Sequence, residues 1–544
     1  MRPTLFISLT LLLTGCGKNP TYKSSPIDLS EKWYYKDPQK DSVPGIGLYR
    51  LEHQNAKHAK TKEIIVAILD TGVDLNHSSL KNQFWVNEDE IPDNGIDDDH
   101  NGYIDDVHGW NFLGGSDEDT RTFNHFSSIR FLKLYRDRFQ KLIHTTKLEE
   151  EERLFLKEYQ RAQKDSIAEW KYLELRTNYK KWYDSTKIKS DSLLRIYNLY
   201  PPYKLPTIDS LFNVVYRQNK NEVEGRLVYF TLDVLKNNRL PGYLKNKEII
   251  NKSLRFCLNE SHTERSAITT VNTTPYGNNK VNTNYRFTSH GTEIAGTIAA
   301  IKEDANGTRG VFNKAKIMVL QITPELGSEH EEDLINAIYY SVENGAQVIN
   351  YSSSLNFLCY PDRVYKALSY AEKKNVLFVT SAGNRGINLE NYTTHPRNNY
   401  KGRQLSNFIM VGASDSTIGR TLKPVWSNYG ENTIDLFAPG ANIKTTWPED
   451  QYKRNSGSSI SAAMVSGAAA YLLSDFPNLS ASDVKNCLIN SATTYDIPVQ
   501  VTKSDTLAVK SFLSLSNSGG ILNMYEALLE AKKISKESES RRNN

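Results

Sequence analysis

The run Ile64-Ile65-Val66-Ala67-Ile68-Leu69, closed by Asp70-Thr71-Gly72, constrains this chain most. It has the length of a strand and is apolar at every position, so neither face suits water. Such runs fit parallel strands covered on both sides by helices, which predicts an α/β fold. A carboxylate at the strand's C-terminal end lies where open α/β sheets place their sites. Taken alone, Asp-Thr-Gly is simply a strand stop. Leu377-Phe378-Val379-Thr380-Ser381 reads as another buried strand, ending in the small turn Ala382-Gly383-Asn384. Two small-residue helices accompany the strands. One begins near His290-Gly291-Thr292-Glu293, and the other begins after Gly457 with Ser458-Ser459 and runs to Leu473. A helix start directs backbone N–H groups and the positive dipole end at its surroundings. Even so, a serine there is more often a cap than a nucleophile. A lone histidine is usually structural, and an asparagine beside glycine usually serves a turn.

The ordered set changes those readings. Asp70, His290 and Ser459, with Asn384 between the last two, resemble the subtilisin-like serine proteases in chain order and local text. Asn306-Gly307-Thr308-Arg309-Gly310, Gly345-Ala346-Gln347-Val348-Ile349-Asn350, Trp426-Ser427-Asn428-Tyr429-Gly430 and Ala438-Pro439-Gly440 extend the likeness over about residues 60–112 and 285–530. The resemblance implies a three-layer α/β fold with a mainly parallel central sheet. It also implies a serine endopeptidase acting on proteins or peptides, with no cofactor for the chemistry. Ser459 would be the nucleophile, His290 the base, Asp70 its orienting partner and Asn384 the oxyanion donor. Ser352, Ser353 and Ser354 fall on the segment that pairs with substrate. The contrasting class is a catalytically silent binding scaffold.

The chain also departs from the family pattern. Glu293 stands where a second histidine is usual. Ser354 stands where glycine is common, so cleavage preference does not carry over. Ser459-Ile460-Ser461-Ala462-Ala463-Met464 replaces the common Ser-Met-Ala/Ser-Ala/Ser-Pro-His run. Asp70 and His290 lie 220 positions apart, far more than the family's usual few tens. The excess reads as a helical insertion over residues 120–285. Leu148, Phe155, Tyr159 and Ala162 mark one helix face, and further helical runs lie at Leu211–Val215 and Leu227–Leu235. Rooted between the Asp70 and His290 segments, the insertion reads either as a unit that governs access to the cleft or as a remote decoration that only adds stability.

Asp97-Asp98-Asp99-His100-Asn101-Gly102-Tyr103-Ile104-Asp105 has the spacing of a calcium loop. Asp97, Asp99, Asn101 and Asp105 would ligate through side chains, and Tyr103 through its carbonyl. Position 12 of such a loop is His108, not an acid, with Asp106 as the acid that would compensate, and an acidic solvated turn is the other reading. At the N-terminus, the apolar run Thr4 to Leu13 followed by Thr14-Gly15-Cys16 resembles a bacterial lipoprotein signal. It predicts lipidation of Cys16 and anchoring in the cell envelope. The absence of aspartate after Cys16 favours the outer membrane. After Cys16 only Cys257, Cys359 and Cys487 remain, so no disulfide framework is implied. A net charge of +4 with no basic motif gives no reason to expect nucleic acid. The expected organisation is a signal peptide (1–15), a tether (16–45), catalytic sequence (46–119 and 286–530) around the insertion (120–285), and a charged tail (531–544).

Overall fold

The computed structural model describes residues 32–55, 62–113, 124–177, 276–282, 288–301, 307–324, 327–503, 505 and 507–543. The predicted strand forms as β1 (Ile64–Asp70). It pairs in parallel with β3 (Ala315–Gln321) on one side and β4 (Val348–Tyr351) on the other. Beyond β3 lies β2 (Gly109–Asn111), also parallel. Beyond β4 follow β5 (Leu377–Ser381), β8 (Phe408–Ser414), β9 (Leu436–Pro439) and β15 (Gly520–Ile521), all parallel. A short antiparallel strand, β12 (Thr493–Thr494), completes the nine-stranded sheet; outside it β6 (Asn399–Tyr400) pairs with β7 (Arg403–Gln404) and β13 (Pro498–Gln500) with β14 (Val509–Ser511), both antiparallel.

Alternation along β1 sends Val66 and Ile68 to one face and Ala67 and Leu69 to the other, and each face has its own core. On the first face lie α5 (Ser289–Ala299), α8 (Ser458–Asp475), α9 (Ala481–Asn490) and α10 (Met524–Asn543). On the second lie α6 (Glu331–Glu343) and α7 (Pro361–Lys373). This is the three-layer, mainly parallel arrangement expected. Helix α8 is buried on nearly every side, as suits a helix apolar all round. Close packing explains its small residues: a Cβ on Gly467 would lie 2.7 Å from that of Val311. The hairpin of β10 (Ile443–Trp447) and β11 (Gln451–Asn455) covers α5 and leads into α8.

Three expected boundaries move. The tether does not extend to residue 45, because Trp33, Tyr34 and Tyr35 are at most 2% exposed. The Tyr34 hydroxyl reaches the Lys444 carbonyl and that of Tyr35 the Arg309 carbonyl, so this aromatic turn belongs to the core. The catalytic fold resumes before residue 286: Asn278 bridges back to Asn111, and Val73 N–H donates to Val281. The charged tail is the outer end of α10, whose Ala531 is fully buried.

The described part of the insertion is helical: α2 (Ser127–Leu134), α3 (Arg136–Leu142) and α4 (Glu150–Thr177), with α1 (Leu48–Asn55) lying outside it. Phe131, Leu132, Tyr159 and Ala162 pack against Phe357 and Cys359, with Phe155 beside them; Leu148 precedes α4. Phe155, Tyr159 and Ala162 of the stripe therefore pack into a core, whereas Leu148 is half-buried and outside it. The runs Leu211–Val215 and Leu227–Leu235, Cys257, Cys16 and the signal segment lie outside the described residues. Cys359 and Cys487 are buried and not joined by a disulfide. Among the described residues no helix is long and apolar enough to cross a membrane.

Candidate active site

Strand β1 is flanked by β3 and β4, which places its C-terminal end at a topological switch point. Asp70 ends the strand, 3% exposed. One carboxylate oxygen accepts the Thr71 N–H at 2.7 Å, which fixes the rotamer. Helix α5 can approach this turn because Gly291 lacks a Cβ; one would lie 2.0 Å from the Gly72 carbonyl oxygen. That approach sets His290 Nδ1 at 2.8 and 2.9 Å from the two Asp70 oxygens. A carboxylate only accepts, so Nδ1 carries the proton and Nε2 is left for the cleft. Burial opposes the imidazolium, but the Asp70 charge and hydrogen bond, then Glu293 and Glu329, outweigh it and raise His290 to about 9. The ring keeps 39% exposure, so water screens part of that field.

Ser459 lies in the first turn of α8, 9% exposed. Its Oγ donates to the Ser352 carbonyl at 3.1 Å. The same strand end holds its backbone: Ser466 Oγ donates to Asn350 Oδ1, Asn350 Nδ2 to Ser352 Oγ, and Ser352 Oγ to the Ser459 carbonyl, at 2.9, 2.9 and 3.1 Å. Ser352 is thus buried support. Ser353 donates to Glu329 Oε1 at 2.5 Å, and both Ser353 and Ser354 are partly exposed. Burial raises the Glu329 carboxyl, against the hydrogen bond from Ser353.

Asn384 is exposed at the mouth of the site. Its Oδ1 accepts the Ser458 N–H at 2.9 Å, which leaves Nδ2 as a donor. Gly383 N–H reciprocates to Ser458 Oγ at 2.9 Å. Gly383 has φ +96°, a conformation that favours glycine. Sequence reasoning gave no role to the residue that holds this turn. Asn428, 1% exposed, accepts from Arg385 and Ile387 N–H at 3.0 and 3.1 Å and donates to the Ala382 carbonyl at 2.7 Å. An asparagine inside Trp426–Gly430 was the available signal.

The acidic loop is assembled differently from its expected form. Asp97 accepts from Asn101 and Gly102 N–H, Asp99 accepts from Asn101 N–H, and Asn101 accepts from Tyr103 N–H, as the spacing implies. Asp105, however, turns away: its two oxygens accept from Asn94 and Gly95 N–H at 3.1 and 3.0 Å. The turn at residues 94–95 folds back over the loop and captures it. Oxygens of Glu90, Asp99 and Asp106 instead lie within 4.8 Å of one another. Asp106 is fully buried, its carboxyl raised by burial and held by Asn87, Asn101 and Tyr340. Three converging carboxylates form a hard oxygen donor set that fits calcium.

The fold and this site together define a serine-type peptidase. The chain belongs to the subtilase family, whose profile matches residues 61–509. It is 31% identical over 205 residues to subtilisin DY of Bacillus licheniformis, covering 38% of this chain and 70% of that one. It is 32% identical over 203 residues to thermitase of Thermoactinomyces vulgaris, covering 37% and 67%. The structure of a cold adapted subtilisin-like serine proteinase aligns over 43% of this chain and 74% of its own, at 25% identity and a TM-score of 0.34.

Proposed function

We propose that the chain is an endopeptidase that cleaves peptide bonds through Asp70, His290 and Ser459. The observation that carries this is the His290 Nδ1 held against both Asp70 oxygens, together with Ser459 at the buried start of α8. Ser459 Oγ leaves the Ser352 carbonyl, attacks the substrate carbonyl carbon and passes its proton to His290 Nε2. Asn384 Nδ2 and the Ser459 N–H hold the oxyanion. The C–N bond then breaks and His290 returns the proton to the departing amine. Water repeats the sequence on the acyl-serine, releasing the acid and restoring Ser459. Asp70 keeps the imidazole in the correct tautomer. Ser353 and Ser354 border the substrate backbone.

Fluorophosphonate labelling of Ser459, lost in Ser459→Ala, is the expected result, with peptide hydrolysis lost in parallel. Labelling that persists in the variant overturns the nucleophile. Folded wild-type protein that neither labels nor cleaves is the binding scaffold, the reading that the Ser459–Ser352 bond favours. The base must be neutral to act, and His290 is raised. Activity therefore rises with pH into the alkaline range.

We further propose calcium at Glu90, Asp99 and Asp106, where it would offset the clustered charge. Calcium then raises the melting temperature, and Asp99→Ala plus Asp106→Ala weakens the response. An equal response in both proteins refutes this placement. The Thr14-Gly15-Cys16 text supports a lipid anchor on Cys16, in the outer membrane of the cell envelope. Mass spectrometry of the mature N-terminus should find acylated Cys16, and an unmodified terminus elsewhere rejects the anchor.

A further inference from the structure

Glu293 follows His290 by one turn of α5, at the position where the family pattern has a second histidine. It is 2% exposed. Its Oε2 accepts from Asn455 Nδ2 at 3.0 Å. Its Oε1 is buried with no hydrogen-bond partner. A buried carboxylate oxygen without a donor disfavours the charged form and is uncommon in a settled core. Asn455 is the last residue of β11, four positions before Ser459. This one hydrogen bond therefore joins the helix that carries the base to the segment that delivers the nucleophile.

The surroundings of Glu293 are few and specific. On its own helix it faces His290, and from β1 it faces Asp70. The hairpin offers it Asn455 at the side chain and Thr445 Oγ1 at its carbonyl, neither of them charged. Glu329 acts on His290 from the segment before α6.

We infer that Glu293 is a positioning residue that ties the His290 helix to the nucleophile segment and sets, through its own proton, how tightly His290 holds one. This rests on the peptidase reading above. Burial raises Glu293 to about 7, against the pull of His290 and the Asn455 bond. Across the neutral range it passes from neutral to anionic. The anion is a second negative charge on the imidazolium, after Asp70, and it makes deprotonation of the base harder. The two groups titrate as a coupled pair, so the acid limb of activity belongs to both.

The test is the pH profile of kcat/KM for wild type and Glu293→Gln, in protein that labels with a fluorophosphonate. Glutamine keeps an acceptor for Asn455 and removes the charge. The acid limb should move to lower pH, by about half a unit or more, which is about threefold in proton affinity. Asn455→Ala keeps the carboxylate and removes the tie, so it should lower kcat on the alkaline plateau with little change in KM. Superimposable acid limbs, or an unaltered plateau in Asn455→Ala, overturn the inference. NMR titration of the His290 imidazole in both forms measures the same shift without needing activity. A wild type that does not label, yet shows the shift, refutes the peptidase mechanism and leaves the Glu293 coupling standing.

Discussion

Asn428→Ala tests whether the oxyanion donor is set from behind. Asn428 is buried, 1% exposed. It closes the turn on which Asn384 stands, with three side-chain hydrogen bonds to Arg385, Ile387 and Ala382. A typical bond contributes about 1 kcal/mol net, and a buried group left without its partner costs about 1–3 kcal/mol. Arg385 is exposed, so water can replace its bond; the Ala382 carbonyl and Ile387 N–H are more enclosed. A loss of about 2–4 kcal/mol in denaturant unfolding follows. Catalysis should fall as though Asn384 itself were displaced, by about a hundredfold or more in kcat. Asn384→Ala should cause a similar drop with much less loss of stability, because that residue is exposed and its amide oxygen accepts from the Ser458 N–H. The decisive measurement is the double variant. If Asn428 acts on chemistry only through Asn384, Asn384→Ala/Asn428→Ala has the kcat of Asn384→Ala within about twofold. Active-site titration corrects each rate for folded fraction. Losses that multiply would refute the argument, since Asn428 would then affect the reaction by another route.

Lys423 is fully buried, and burial lowers it to about 7. The unfolded chain therefore binds the extra proton between about 7 and the ordinary 10.5, and stability rises with pH across that window. Lys423→Met should lack this rise, so the stability difference between the two proteins should change by as much as about 5 kcal/mol between its ends; parallel stability curves refute it. Gly296→Ala should destabilise by about 1–3 kcal/mol in thermal unfolding, because the new Cβ would meet Thr446 Oγ1 at 1.9 Å and push the hairpin off α5. Arg161→Ala removes donors to the Thr393 and Asn356 carbonyls, both at 2.7 Å, and a cation over the Phe357 ring. Hydrogen exchange at residues 353–359 should speed up, while exchange in β1 stays as it was.

Much of this architecture can be read along the chain where the information is local. Ile64–Asp70 announces a strand buried on both faces because each residue answers the same question of water or core. Asp70, His290, Asn384 and Ser459 stand out in the text because Asp70 ends a strand, Asn384 sits on a glycine turn just after one, and His290 and Ser459 open helices. What stays hidden depends on partners distant in sequence. Trp33–Tyr35 looks like the end of a tether until Arg309 and Lys444 supply carbonyls for its hydroxyls. Asn350 looks like a polar interruption of β4 until Ser466 and Ser352 take up its amide. The acidic loop misleads for a related reason. Its internal spacing is that of a calcium loop, but Glu90 from upstream joins it, and the 94–95 turn captures Asp105.

The long separation of Asp70 from His290 has a structural answer at both of its ends. The chain leaves the sheet after β2 and is back by Asn278, whose backbone exchanges two hydrogen bonds with Asn111, at 2.8 and 3.1 Å. An excursion closed at its base by such a bridge leaves the sheet's register untouched. Loop-closure entropy grows only with the logarithm of length. Tolerance of the insertion thus needs no role for it. Its docking is another matter. Arg130 donates to the carbonyls of Ser328 and Glu329, Arg161 to those of Asn356 and Thr393, and Tyr135 to that of Cys359. Asn356 and Cys359 follow Ser352–Ser354 in the chain, and the Glu329 side chain accepts from Ser353 Oγ. Side-chain donors aimed at main-chain oxygens fix where a segment runs, and they do so whatever side chains the segment carries. Phe131 and Tyr159 then seal the contact against Phe357. The helices nearest the insertion's root therefore act as a backing for the path of residues 356–359.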